Sequence, residues 1–273
     1  MVTDGARQLP TVVRYPATAA APGALPQRAG GPYPLVVFSQ GFDIPTEDYA
    51  GLLEQWAAHG FVVASPTYPS TAPGAPGGLD ENDIVHHPGD LSAVITAIVH
   101  AATAPGNLLA GVVDARRIGV AGHSDGGDVT DTVAANTCCR DARVAAAVVL
   151  SGAELASWGG TYIPSAGLPL LVTQGSADPI NVPACSEQIY DSAGAPKYYL
   201  SLLGAGHRSP YVSAGPYRTV VVQVTVDFWN GYLKGSASAR AAIAADGRHT
   251  GTSTLVSGAP VALTGSCPGA PPD

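Results

Sequence analysis

Apolar residues along the chain fall into two recurring patterns. Short continuous runs, "PLVVFSQGF" (34–42), "FVVASPTYP" (61–69), "RIGVAG" (117–122), "RVAAAVVLSG" (143–152), "LPLLVTQG" (168–175) and "PKYYLSLLGAG" (196–206), each reach a Gly or Pro at or next to their last position. Runs of this length bounded by turn residues are expected to be strands buried on both faces. "LPTVVRYPA" (9–17) reads as an earlier strand. Between the runs lie segments with helical spacing. In "TEDYAGLLEQWAAHG" the residues Tyr49, Leu52, Leu53, Trp56 and Ala57 share a face, Thr46 is placed to cap the start, and Gly60 ends it. "DLSAVITAIVHAA" (90–102), "DGGDVTDTVAANT" (125–137) and "VPACSEQIYDSAG" (182–194) read as further helices, with Asp90 as a cap and Asp128 and Asp131 suited to the positive end of a helix dipole. "YRTVVVQVTVDFWNGYLKG" (217–235) closes the series as a helix, although its β-branched run also fits a strand. Residues 236–273 carry no clear period and read as a poorly specified tail.

Strand and helix alternating about five times predict an α/β fold: a mostly parallel central sheet with helices on both faces, in one domain spanning 1–273 with its core over about 9–235. In such sheets ligands sit at the carboxyl ends of the strands.

Composition narrows the function. The 273 residues are 46% hydrophobic and 12% charged, as expected of a globular chain, with no apolar run long enough for a membrane helix. A formal charge of −8 without a Lys/Arg cluster argues against nucleic acid and for a neutral or apolar substrate, and the chain is expected to be a monomer. Dinucleotide, phosphate-loop and zinc-peptidase signatures are absent. The four cysteines, Cys138, Cys139, Cys185 and Cys267, lack zinc-site spacing. Their even number fits two disulfides and a secreted protein. Cys138 and Cys139, being adjacent, are not expected to pair with each other, and a bridge at Cys267 would staple the tail. No signal peptide is visible after Met1, so an exported chain would already have lost its leader.

The candidate chemistry centres on "GHSDGG" (122–127), where the strand 117–122 meets the helix that follows. Gly122-His123-Ser124-Asp125-Gly126 fits a Gly-x-Ser-x-Gly elbow. The turn is so tight that the positions two before and two after the serine must be small, and it pushes the hydroxyl out at a helix N-terminus. His123 is read as support for the turn. A serine hydroxyl needs a base to take its proton and a carboxylate to orient that base. Asp178, in "GSADPI", lies just past one buried strand, and His207, in "GAGHRSPY", just past the next. The order Ser, Asp, His is the one this fold requires. Backbone N–H donors for an oxyanion are expected from Asp125 and from Phe42, after Gly41. Gln40 and Trp158 are placed as candidate substrate contacts. "LDENDIVHHPGD" (79–90) gathers acids and imidazoles, but its spacing matches no calcium or zinc pattern, and it reads as a solvated loop.

These segments together resemble the α/β-hydrolase family of serine esterases, and within it the chlorophyllase, platelet-activating-factor acetylhydrolase and bacterial cutinase-like group. The resemblance runs over about residues 9–235. It implies an α/β-hydrolase fold and hydrolysis of carboxylic esters through an acyl-enzyme, with no metal or cofactor. Some relatives cleave polyesters, so a polyester hydrolase or lipase acting on insoluble substrate is the second expectation. Gln40, where many relatives carry His or Pro, and Asp125, where cutinase-like enzymes carry an apolar residue, depart from that branch. From another class, a non-catalytic binding module that keeps the fold would explain the same elements without the chemistry.

Overall fold

A computed structural model describes residues 1–163 and 167–268 of the chain. The chain opens with a hairpin, β1 (Val2–Asp4) and β2 (Arg7–Leu9), that the hydrophobic pattern did not announce. It continues through β3 (Thr11–Arg14), β4 (Tyr33–Ser39), α1 (Ala50–Ala58), β5 (Val62–Pro66), α2 (His87–Thr103), β6 (Val113–His123), α3 (Asp125–Ala135), β7 (Val144–Leu150) and β8 (Leu170–Gly175). The last elements are α4 (Pro183–Ser192), β9 (Lys197–Leu202), α5 (Ser209–Val212), α6 (Pro216–Tyr232), α7 (Ala237–Asp246) and β10 (Ser253–Ser257).

Eight strands form one sheet in the order β10-β9-β8-β7-β6-β4-β5-β3. The six inner strands run parallel, and the two edge strands are antiparallel to their neighbours. Period-2 alternation divides the apolar side chains between two cores. Leu35, Val37, Val120, Val149 and Val172 face α2, α3 and α4. Val36, Phe38, Ala121, Val148 and Leu171 face α1 and α6. Both faces are therefore covered, which is why the inner strands read as unbroken apolar runs. The sheet and its helices are the expected α/β arrangement. No helix among the described residues is long and apolar enough to cross a membrane.

The segment 217–235 is helical, as read. Val220, Val221, Val224, Phe228 and Trp229 recur at helical spacing, and this overrides the β-branched preference. Thr225 bonds back to the carbonyl of Val221 and accepts the Trp56 indole N–H at 2.8 Å, tying α6 to α1.

Several local expectations are corrected. Residues 236–258 are not a poorly specified tail: α7 packs on α6, and β10 pairs with β9 from Ser253 to Ser257. Residues 269–273 of that tail lie outside the described ones. Cys138 and Cys139 do form a disulfide with each other, in the turn after α3, where the Asn136 side chain and carbonyl take the N–H groups of Cys138 and Cys139 and fold the backbone tightly. Cys185 and Cys267 form the second bridge, which staples the C-terminal segment to α4.

Thr46 does not cap a helix. Its hydroxyl donates to Gln40 Oε1 at 2.6 Å. Residues 81–86 are largely solvent-facing, as read, but form a short 3-10 turn leading into α2, and Asp90 lies inside α2 rather than capping it. Arg7 bonds both Asp83 and Asp90, at 2.8 and 2.7 Å, and so pins this region to the N-terminal hairpin. Asp128 lies in the first turn of α3, at its positive end as read, while Asp131 lies beyond that turn, and both are buried. Asp128 accepts the Ala153 N–H at 2.6 Å, and burial pushes both carboxyls well above the usual range.

Candidate active site

β6 ends at His123 and α3 begins at Asp125, so Ser124 alone makes the turn. Its φ is +56° with ψ −127°, a conformation that side chains rarely adopt and that the surrounding backbone must enforce. The glycines show how. A Cβ on Gly122 would lie 1.9 Å from the Gly126 carbonyl oxygen, and one on Gly126 would lie 2.1 Å from that of Ser39. The strand end, the helix start and the neighbouring β4 meet backbone against backbone. The turn is closed by the N–H groups of Gly127 and Asp128, which both bond to the Ser124 carbonyl, and by the Ser124 N–H, which bonds to Leu150.

The loops after β8 and β9 are equally close. A Cβ on Gly175 would lie 2.5 Å from the Ala205 carbonyl oxygen. The Ala177 N–H bonds to that same oxygen, and the Ser176 N–H bonds to Leu202. This crossing brings Asp178 under His207. His207 Nδ1 lies 2.7 Å from Asp178 Oδ2, and Nε2 lies 2.8 Å from Ser124 Oγ. A carboxylate only accepts, so Nδ1 carries a proton and Nε2 is the nitrogen that faces the serine hydroxyl. Asp178 is held in turn: Oδ1 accepts the Ile180 N–H at 2.9 Å, and Oδ2 accepts Gln174 Nε2 at 3.1 Å. Ser124 is 8% exposed and Asp178 3%, so the hydroxyl is reachable while the carboxylate is shielded.

The loop after β4 lies against Ser124. A Cβ on Gly41 would approach Ser124 Cβ to 3.0 Å. Phe42, next in the chain, is partly exposed. No acceptor among the described residues takes its N–H. Asp125 opens α3, so its N–H has no acceptor in a preceding helical turn. Its side chain is less expected. Oδ2 is buried without a hydrogen-bond partner among the described residues, and burial together with Glu81 raises the carboxyl to about 7.

The two candidate substrate contacts each bond to protein through one polar atom, and the Gln40 amide nitrogen is buried without a partner among the described residues. Gln40 is 1% exposed, and its amide oxygen accepts from Thr46. Trp158 is half-buried against the α2 side of the core and donates its indole N–H to the Ile84 carbonyl at 3.2 Å. Sequence reasoning missed Gln174, which bonds both Asp178 and the Asn181 carbonyl. Its place at the end of a buried apolar strand is the signal that would have found it. A polar side chain there needs a partner.

A family model described as Chlorophyllase matches residues 17–153, half of the chain and the part that contains the Gly41 loop and the Ser124 turn. No curated protein matches the chain.

Proposed function

The chain belongs to the chlorophyllase family, whose members are hydrolases of the α/β-hydrolase type, and from that premise we propose that it is a serine esterase acting on neutral or apolar carboxylic esters through an acyl-enzyme. The single observation that carries this reading is His207 bridging Ser124 Oγ and Asp178 Oδ2 at 2.8 and 2.7 Å. Ser124 Oγ attacks the ester carbonyl while His207 Nε2 takes its proton. The developing oxyanion is held by the N–H groups of Phe42 and Asp125. His207 returns the proton to the departing alcohol, which leaves Ser124 acylated. Water then attacks, deprotonated by His207, and the acid leaves as Ser124 recovers its proton. Asp178 fixes the tautomer and stabilises the imidazolium in each half. Every step is assigned to side chains and backbone of this chain, without a cofactor.

A second reading within the same chemistry is a polyesterase or lipase acting on insoluble esters, for which Ile180, two residues beyond Asp178 and 65% exposed, would be an apolar contact beside the triad. The two disulfides support an oxidising compartment as the place of work.

The test is hydrolysis of p-nitrophenyl esters from acetate to palmitate by the wild type and by Ser124→Ala. Loss of the nucleophile should lower kcat by on the order of 10⁶. Wild type and variant equally inert on every ester would overturn the reading in favour of a binding module. The chain-length optimum separates short esters from lipid-like ones.

A further inference from the structure

His123 precedes the nucleophile in sequence, yet its imidazole makes two hydrogen bonds that join distant parts of the chain. Nε2 lies 3.0 Å from the backbone carbonyl oxygen of His207. Nδ1 lies 2.8 Å from the Tyr49 hydroxyl. That hydroxyl accepts the Gly41 N–H at 3.2 Å. The direction of each bond follows from the atoms. A carbonyl only accepts, so Nε2 carries the ring proton. The Gly41 N–H only donates, so the Tyr49 O–H points to Nδ1. Both rings are fully buried. Burial, reinforced by His207, pushes the imidazole well below its ordinary range, and burial keeps the Tyr49 phenol protonated. The ring is therefore neutral, in one tautomer, with both nitrogens used.

The three groups it joins are the three that must act together. Gly41 precedes Phe42, whose N–H faces no acceptor among the described residues. His123 precedes Ser124. The carbonyl at the far end belongs to His207 itself. The imidazole is held between the rings of His207 and Tyr211, both with centroids 4.7 Å away. Tyr211 is anchored at the ends of β7 and β8 through Ser151 and Thr173.

We propose that Tyr49 and His123 form a positioning relay that holds the oxyanion-hole loop and the His207 turn in register about Ser124. The proposal rests on the esterase reading above. Neither residue touches substrate. Their effect is on geometry at the moment of attack, when the carbonyl oxygen must meet its donors while the base stays within reach of Oγ. A misplacement of about 1 Å is enough to cost on the order of 100-fold in rate.

Tyr49→Phe removes one oxygen and keeps the ring packed against Phe38, 4.8 Å between centroids. Active sites are counted by titration with a p-nitrophenyl phosphonate. Then kcat and KM are measured on the best ester of the series, together with the affinity of a matching trifluoromethyl ketone, which mimics the tetrahedral adduct. The expected result is a full complement of titratable serines and an unchanged KM. The kcat per site falls about 10- to 100-fold, and the ketone weakens by the same factor. His123→Leu, which removes both hydrogen bonds at similar side-chain volume, should show the same pattern and carries the test if Tyr49→Phe does not fold. Two results overturn the relay. One is kcat within twofold of wild type. The other is a loss explained wholly by fewer titratable sites with normal turnover at each, which marks a purely structural role. Ser124→Ala separates the two levels: if it remains active, the esterase reading falls and takes the relay with it, whereas an inert Ser124→Ala beside a normal Tyr49→Phe removes only the relay.

Discussion

The carbonyl oxygen of Ser39 occupies the space that a side chain on Gly126 would need, 2.1 Å from the ideal Cβ position. Ser39 cannot yield, because it is buried and in register with Gly122 across β4 and β6. Gly126→Ala must therefore move the start of α3, and Ser124 with it. We expect a fall in kcat/KM of more than about 100-fold and a lower melting temperature. Gly206→Ala, in the turn before His207, is the control. Nothing lies within 4 Å of the position its Cβ would take. If both variants behave alike, the backbone contact at Gly126 is not what shapes the elbow.

Asp125 predicts a pH dependence of stability. Its carboxyl is raised from 3.8 to about 7, chiefly by burial and then by Glu81, with its own backbone N–H and His207 opposing. Below about pH 4 the group is protonated in both folded and unfolded chains and contributes nothing. Between about pH 4 and 7 only the folded chain keeps the proton, so raising the pH favours unfolding. Above about pH 7 the penalty is complete. Asp125→Asn should thus melt higher than wild type at about pH 8 and level with it at about pH 4. A difference that does not change with pH would show that this carboxyl is not held neutral by the fold.

Arg7 predicts a dependence on the N-terminal hairpin. Asp90 is fully buried, and Arg7 neutralises it while also bonding Asp83, whose carboxyl is held below its usual range by His87 and Arg7 against the effect of burial. Removing the guanidinium leaves an uncompensated buried charge, at a cost of about 3–5 kcal/mol. Urea denaturation of Arg7→Met should show that loss, and adding Asp90→Asn should recover much of it. A double variant no more stable than the single one would mean that the hairpin acts through packing rather than charge.

These residues also mark where a sequence stops being readable. Ser124, Asp178 and His207 stand out because each lies just past a buried apolar strand, and because glycine alone survives contacts such as those at Gly122, Gly126 and Gly175. The geometry around them is written in local spacing. Thr46 and Asp90 are different: each has the chemistry of a helix cap, but Gln40 and Arg7 claim their side chains from elsewhere in the chain. The segment after Gly235 gave little periodic signal because α7 buries only Ile243 completely, and β10 is five residues long with two of them polar on its leading half. Its order comes from β9, from Cys185, and from Glu187 accepting the Thr264 N–H and hydroxyl. The Tyr49–His123–His207 connection spans three segments and has no counterpart in any stretch short enough to show a pattern.

The two edges of the sheet, β3 and β10, come from opposite ends of the chain and both run against the strands they cover. Each inner strand therefore finds its backbone partners within one molecule. A nick in the chain before Ser253 would leave β10 joined to α4 through the bridge from Cys185 to Cys267, so β9 keeps its antiparallel partner close at hand after the backbone is cut.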